Sequence, residues 1–221
     1  MHPDYINKST ACNFGRDSMH NDYINKHMTE IEDIVRDIDR EQISKAIDIL
    51  FEAWKNGNNV YFMGCGGSAG TASHFAADLA KTTIVGDKKR FRAHSLVDNP
   101  SLKTAWINDD GWNSVFKEQI RNFMQPGDVV VGISVHGGSG KGNAGDWSQN
   151  LTVAMQFVKE NGGKCIGLAG FDGGAFKELC DACIIVPKNS TPLVEGFHSD
   201  IQHLIIFRLK ELIANYEDVN V

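Results

Sequence analysis

Apolar positions along this chain change period several times, and each change marks an element. Ile31, Ile34, Val35 and Ile38 recur at helical spacing, followed by Ile43, Ala46, Ile47, Leu50, Phe51 and Trp54. This pattern predicts two amphipathic helices between about Asp22 and Gly57, the second ended by Gly57 with Asn58 and Asn59. Val60 and Phe62 then alternate as in a strand, and the run VYFMGCGGSAGTASHFAADLAK (60–81) passes through Gly64, Gly66, Gly67 and Ser68 into an Ala-rich helix. Further strands are expected at Phe91–Leu96 and Val129–Ser134, with a helix from about Trp112 to Phe123 between them. Gln125-Pro-Gly-Asp128 closes that helix and leads into Val129–Ile133, an unbroken apolar run expected of a central parallel strand covered on both faces. A helix over about Asn150–Asn161, a strand at Cys165–Leu168, a helix near Ala175–Cys180, a strand at Ala182–Val186 and a long helix over Val194–Tyr216 complete the pattern. Strand alternating with helix throughout means a doubly wound α/β parallel sheet.

Residues 1–21 are polar and unpatterned and are expected to form a flexible segment, with one domain over 22–221 that includes the N-terminal helices. DYINK occurs twice, at 4–8 and 22–26, and carries no functional assignment. Long amphipathic helices ahead of the first strand have nothing to pack on within one small sheet domain, so both are expected to pair with a second subunit.

Composition narrows the partners. With 42% hydrophobic and 23% charged residues, 221 residues can bury a full α/β core, and a net charge of −6 argues against general affinity for nucleic acid or an anionic membrane surface. Five cysteines, at 12, 65, 165, 180 and 183, suit a reducing compartment better than a disulfide framework. Cys180-x-x-Cys183 has no partner motif and reads as core packing rather than a zinc site. There is no apolar run of spanning length and no signal-peptide pattern, so a cytoplasmic location is expected.

Candidate chemistry gathers where strands end. The Gly64–Ser68 turn lacks both the Walker and the Rossmann spacing, but glycines free backbone N–H groups to approach a ligand and the following helix start is electropositive, which together favour an anion. A tight turn without a ligand is the plainer alternative. Ser134-Val-His-Gly-Gly-Ser139 follows another strand and offers hydroxyls and amides with no carboxylate, a cradle suited to phosphate. Both loops should open on one sheet edge. His74 and Asp78, four apart, share a helix face, whereas Glu195 and His203, eight apart, lie about 80° apart around a helix. Converging, the two pairs would suit zinc or another divalent ion, or an acid/base pair without metal; unconverged, they are helix-surface contacts, and His198 and His203 could serve only as interface hydrogen-bonding groups.

The string GCGGSAGTASHFAADL resembles the sedoheptulose-7-phosphate (phosphoheptose) isomerases of the sugar isomerase, or SIS, superfamily, whose corresponding run is Gly-Asn-Gly-Gly-Ser followed by His-Phe-Ala-Ala-Glu. Colinear matches continue through Ile107–Phe116, Pro126–Asp128, Ser134–Ser139, Ile166–Gly170, Asp172–Gly174 and Val186-Pro187 to a final helix with an acidic or amide residue eight before a histidine. The resemblance implies a flavodoxin-like five-stranded sheet, a homotetramer with sites between subunits, and a phosphosugar substrate. It places the sugar phosphate on Ser68, Ser134 and Ser139, with backbone of Gly66 and Gly67, and puts Asn108, Asp109 and Thr191 near the sugar. It also makes His74, Asp78, Glu195 and His203 the positions for a divalent metal, zinc first, with Asp78 and His203 as catalytic base and acid.

Departures from that pattern bear on the chemistry. Asp78 replaces a usual Glu and would fall about 1.5 Å short of the same target. Glu195 replaces a usual Gln and adds a negative charge that favours a cation. Val135 and His136 replace hydroxyl residues of the phosphate loop, and Gly140–Gln149 is longer than the usual connection, bringing Lys141, Asp146 and Trp147 to the mouth of the site. Lys141 or His136 is the candidate to restore phosphate contacts. The implied reaction is aldose–ketose isomerisation through an enediol, with sedoheptulose 7-phosphate to heptose 7-phosphate as the leading pair and Glu195 as reserve base. A non-catalytic sugar-phosphate-binding or protein-interaction module, or an isomerase of another phosphosugar, is the alternative.

Overall fold

The computed structural model describes residues 16–138 and 148–217. It divides into two compact units, one ending at Asp37 and one running from Ile38. The described part of the first unit is helix α1, Arg16–Asp37, which begins six residues before the expected start at Asp22. Met19, Tyr23, Ile24 and Met28 are exposed along it.

The second unit opens with α2, Arg40–Asn56. The Asp39 carboxylate accepts from the N–H groups of Glu41 and Gln42, and Gly57, in the left-handed region, closes the helix on Ala53 and Trp54. Five strands follow: β1 Asn59–Gly64, β2 Arg92–Ser95, β3 Val129–Ile133, β4 Lys164–Gly170 and β5 Ala182–Val186. All pairs are parallel and the order is β2-β1-β3-β4-β5, so the doubly wound, flavodoxin-like sheet expected from the sequence is the one observed. Helices α3 (Gly67–Lys81), α4 (Pro100–Asp110), α5 (Lys117–Arg121), α6 (Gln149–Glu160), α7 (Phe176–Leu179) and α8 (Thr191–Asn215) connect and cover it.

Alternation along β1 feeds both faces. Tyr61 and Met63 join Val130, Ile120, Leu151, Met155, Val158 and Phe176 in the core under α5, α6 and α7. Phe62 packs on Phe75 of α3, ring centroids 4.9 Å apart, on the side that α2, α3 and α8 cover. At the opposite end from the loops of interest, the fully buried Asp128 carboxylate accepts from the Asn59 and Gln125 backbone N–H groups, Asn59 Nδ2 and Tyr61 Oη at 2.8–3.3 Å. Burial, with the charge of Asp128 beside it, pushes the Tyr61 hydroxyl pKa well up.

Three expectations need correction. Helix α2, expected to find its partner in a second subunit, packs on β5 and α8 of its own chain and buries Ile43, Ala46, Ile47, Leu50, Ala53 and Trp54 there. The helix expected over Trp112–Phe123 is a 3₁₀ turn at Trp112–Ser114 followed by the short α5. The helix that the sequence reading missed is α4, capped by the Asn99 carboxamide on Leu102 N–H. None of its residues is buried, so it carries no apolar stripe to reveal it. Residues 139–147, with Ser139, Lys141, Asp146 and Trp147, lie outside the described residues, as do Cys12 and the first DYINK.

Candidate active site

Strand order reverses between β1 and β3, the switch point at which a crevice opens beyond the carboxyl ends of the strands. Gly64 pairs with Ile133 in register, so the two Gly/Ser turns leave the sheet side by side. A Cβ on Gly64 would lie 2.4 Å from the Ser68 carbonyl oxygen, so only glycine lets β1 turn this tightly into α3. Gly66 occupies the α3 N-cap at φ 60° and supplies no side-chain cap, leaving the first N–H groups open for an anion. Ser68 is buried just behind them.

The second turn is built by glycine on glycine. Gly137 has φ 64°, and a Cβ there would lie 2.0 Å from the Gly173 carbonyl oxygen. Ser134 Oγ accepts from Gly138 N–H at 3.2 Å, and the His136 ring lies 4.3 Å from that of Phe171. Between the turns is a cavity of about 140 Å³ lined by Cys65, Ser68, Ser134, His136, Gly138, Ser148 and Glu195 among others. Cys65 was not singled out by sequence reasoning. Asn150 Nδ2 donates to its sulfur at 3.4 Å, and burial pushes the thiol pKa up, so it is a neutral wall of the cavity rather than a thiolate.

Farther along the same two helices, α3 and α8 bring together His74, Asp78 and His203. Asp78 Oδ2 is 3.2 Å from His74 Nε2 and 3.5 Å from His203 Nε2, and the two imidazoles meet edge to face at 5.1 Å. One atom from each residue lies within 4.8 Å of the others, a set of two imidazole nitrogens and one carboxylate oxygen that suits zinc. Thr82 Oγ1 donates to Asp78 Oδ1 at 3.3 Å and Gln202 Nε2 to Oδ2 at 3.1 Å. Both imidazoles are about half exposed.

Glu195 does not join this group. Its carboxylate lies over Gly67 at the start of α3, where a Cβ would come within 2.5 Å of Oε1. Asn108 and Asp109, hydrogen-bonded to each other at 2.7 Å, are exposed on the last turn of α4, and Thr191 is exposed at the start of α8; none of the three lines the cavity. His198 turns inward, fully buried, with Nε2 3.1 Å from the Ala169 carbonyl oxygen, which makes Nε2 the protonated nitrogen. Cys180 and Cys183 pack in or against the core as free thiols, as their lack of a partner motif suggested.

The SIS domain family matches residues 22–145 of this chain. The chain belongs to that family. Within it the chain is 36% identical over 186 residues to a phosphoheptose isomerase of Nitratiruptor, covering 84% of this chain and 94% of that protein. It is 39% identical over 176 residues to the lincomycin biosynthesis protein LmbN of Streptomyces lincolnensis, covering 78% of this chain but only 63% of that protein. Among solved structures, phosphoheptose isomerase GmhA from Neisseria gonorrhoeae superposes with a TM-score of 0.73 at 25% identity, over 88% of this chain and 98% of that one.

Proposed function

We propose that this SIS protein is a phosphosugar isomerase that interconverts aldose and ketose forms, with sedoheptulose 7-phosphate and heptose 7-phosphate as the leading pair. Two features carry the reading: a cavity at the switch point lined by Ser68, Ser134 and His136 with the Glu195 carboxylate on its wall, and, farther along α3 and α8, a carboxylate held between two imidazoles. The sugar phosphate is assigned to the cavity, its charge met by the N–H groups at Gly66 and Gly67, by the hydroxyls of Ser68 and Ser134 and by His136, with the Glu195 carboxylate over Gly67 left for a sugar hydroxyl. The sugar then extends toward Asp78.

Asp78 takes the proton from the carbon next to the ketose carbonyl while His203 gives a proton to the carbonyl oxygen, forming the enediol; on collapse the other hydroxyl returns its proton to His203 and Asp78 protonates the former carbonyl carbon. His203 Nε2 stands 3.5 Å from Asp78 Oδ2, which sets base and acid against the same substrate atoms. His74, Asp78 and His203 would hold a divalent cation, zinc first, which would polarise the carbonyl and favour charge building on the enediolate oxygens. Glu195, at the cavity end of α8, is left to accept from a sugar hydroxyl and to stand as reserve base.

We place the working protein in a homotetramer in the cytoplasm. Free thiols among the described cysteines, exposed Leu204 and Phe207 on α8, and exposed Tyr23 and Ile24 on α1 support that reading. Asn108, Asp109 and Thr191, exposed on a single chain, then reach a sugar across a subunit boundary. A panel of ketose phosphates of different chain length, assayed for aldose formation, tests the substrate. Turnover of the seven-carbon sugar in preference to the others is expected; preference for another sugar would overturn the substrate assignment, and tight binding of all with turnover of none would make the protein a binding module.

A further inference from the structure

Gln202 interrupts the apolar face of α8. It is fully buried beside Ile201, Ile205, Ile206 and Leu209, where an amide is costly unless its polar atoms are used. Only half of it is used. Nε2 donates to Asp78 Oδ2 at 3.1 Å, whereas Oε1 is buried with no hydrogen-bond partner. The orientation follows from chemistry, because an ionised carboxylate only accepts and must face the NH₂ end of the amide. A leucine or methionine would fill the same volume and leave no orphaned oxygen, so packing alone does not explain an amide here.

What the amide gains is control of Asp78. The last torsion of an aspartate is soft, so a single contact leaves the carboxylate free to rock. Thr82, at the C-terminal end of α3, donates to Oδ1 at 3.3 Å, and Gln202, on α8, donates to Oδ2. One donor on each oxygen, from two different helices, sets the plane of the carboxylate. That plane presents Oδ2 to His74 and His203 together.

We propose that Gln202, with Thr82 as its counterpart, is a positioning residue that locks the Asp78 carboxylate in the orientation shared by proton transfer and cation binding. The inference rests on the role given to Asp78 above, but concerns residues that touch neither sugar nor cation. Hydrogen bonds of this kind to a ligating carboxylate commonly change metal affinity or activity 10- to 100-fold, so a loss of at least about tenfold is expected.

The test compares Gln202→Leu, Gln202→Met and Thr82→Val with the unaltered chain. Three quantities are measured: thermal midpoint, zinc affinity by competition with a chromophoric chelator in the absence of sugar, and kcat and KM with the best sugar phosphate. Positioning predicts that Gln202→Leu and Gln202→Met keep or raise the thermal midpoint, weaken zinc at least about tenfold, and lower kcat with KM nearly unchanged. Thr82→Val should act in the same sense. A zinc affinity and kcat both within twofold of the unaltered chain would overturn the proposal. So would a loss of activity that tracks a lowered thermal midpoint in both Gln202 variants while Thr82→Val leaves zinc affinity and kcat unchanged. If the unaltered chain turns over no sugar yet Gln202→Leu still loosens zinc, the positioning role stands and the isomerase reading fails.

Discussion

Among the described histidines, His198 is the one whose protonation the fold opposes most strongly. Burial lowers its pKa from the usual 6.5 to about 4, only partly offset by the Ala169 carbonyl. Above pH 6.5 the imidazole is neutral both folded and unfolded, and its contribution is fully present. As pH falls from 6.5 towards 4, the unfolded chain takes up a proton that the folded chain refuses, so stability is lost in that window, by up to about 3 kcal/mol. Urea midpoints measured between pH 7 and pH 4 should fall more steeply for the native chain than for His198→Leu; parallel curves would remove His198 from the account. At the same scale, Ser68→Ala and Ser134→Ala should each weaken phosphosugar binding by about 1 kcal/mol, near fivefold by calorimetry. Unchanged affinity in both would show that the phosphate lies elsewhere. Ser68 and Ser134 were legible because small hydroxyl residues follow strands, and His74 with Asp78 because four residues return to one helix face. Gln202 was not: in the sequence it is one polar residue in an apolar helix, and its meaning depends on Asp78, 124 positions away.

At the scale of elements, the clearest strain is where the loop after β3 meets the loop after β4. Gly137→Ala sets a Cβ against the Gly173 backbone at positive φ, and neither loop can yield as a side chain would. A loss of about 2–4 kcal/mol is expected in denaturant unfolding, against about 1 kcal/mol for Gly86→Ala, which has positive φ but open space around it. Equal losses would show that conformation, not the close approach, decides. Asp128→Ala, which strands buried donors of β1 and of the Gln125–Asp128 turn, should cost about 3 kcal/mol. Strands β1, β3 and β4 were readable because apolar runs with glycine close at either end leave little choice. Helix α4 was not, since it buries nothing in its own chain, and the helix expected over Trp112–Phe123 falls on residues that form a 3₁₀ turn and a short helix instead.

For the whole molecule, sequence patterning carried the doubly wound sheet and therefore the place of the cavity, because parallel strands must send their loops to one edge. It did not carry how far Glu195 stands from His74, Asp78 and His203. Eight residues along α8 allow two groups to share a broad face, yet here Glu195 faces the start of α3 while His203 faces the middle of it. Assembly into a tetramer is tested by sedimentation: Phe207→Glu, on the exposed face of α8, should shift the protein toward smaller species, and an unchanged distribution would place the interface elsewhere. Proton NMR of sedoheptulose 7-phosphate with the protein in D₂O reads the isomerisation itself. An aldose product carrying deuterium on the carbon next to its carbonyl is expected, with both product and exchange absent in His203→Ala. Formation of the aldose without deuterium there, or full exchange by His203→Ala, would contradict the proposed mechanism.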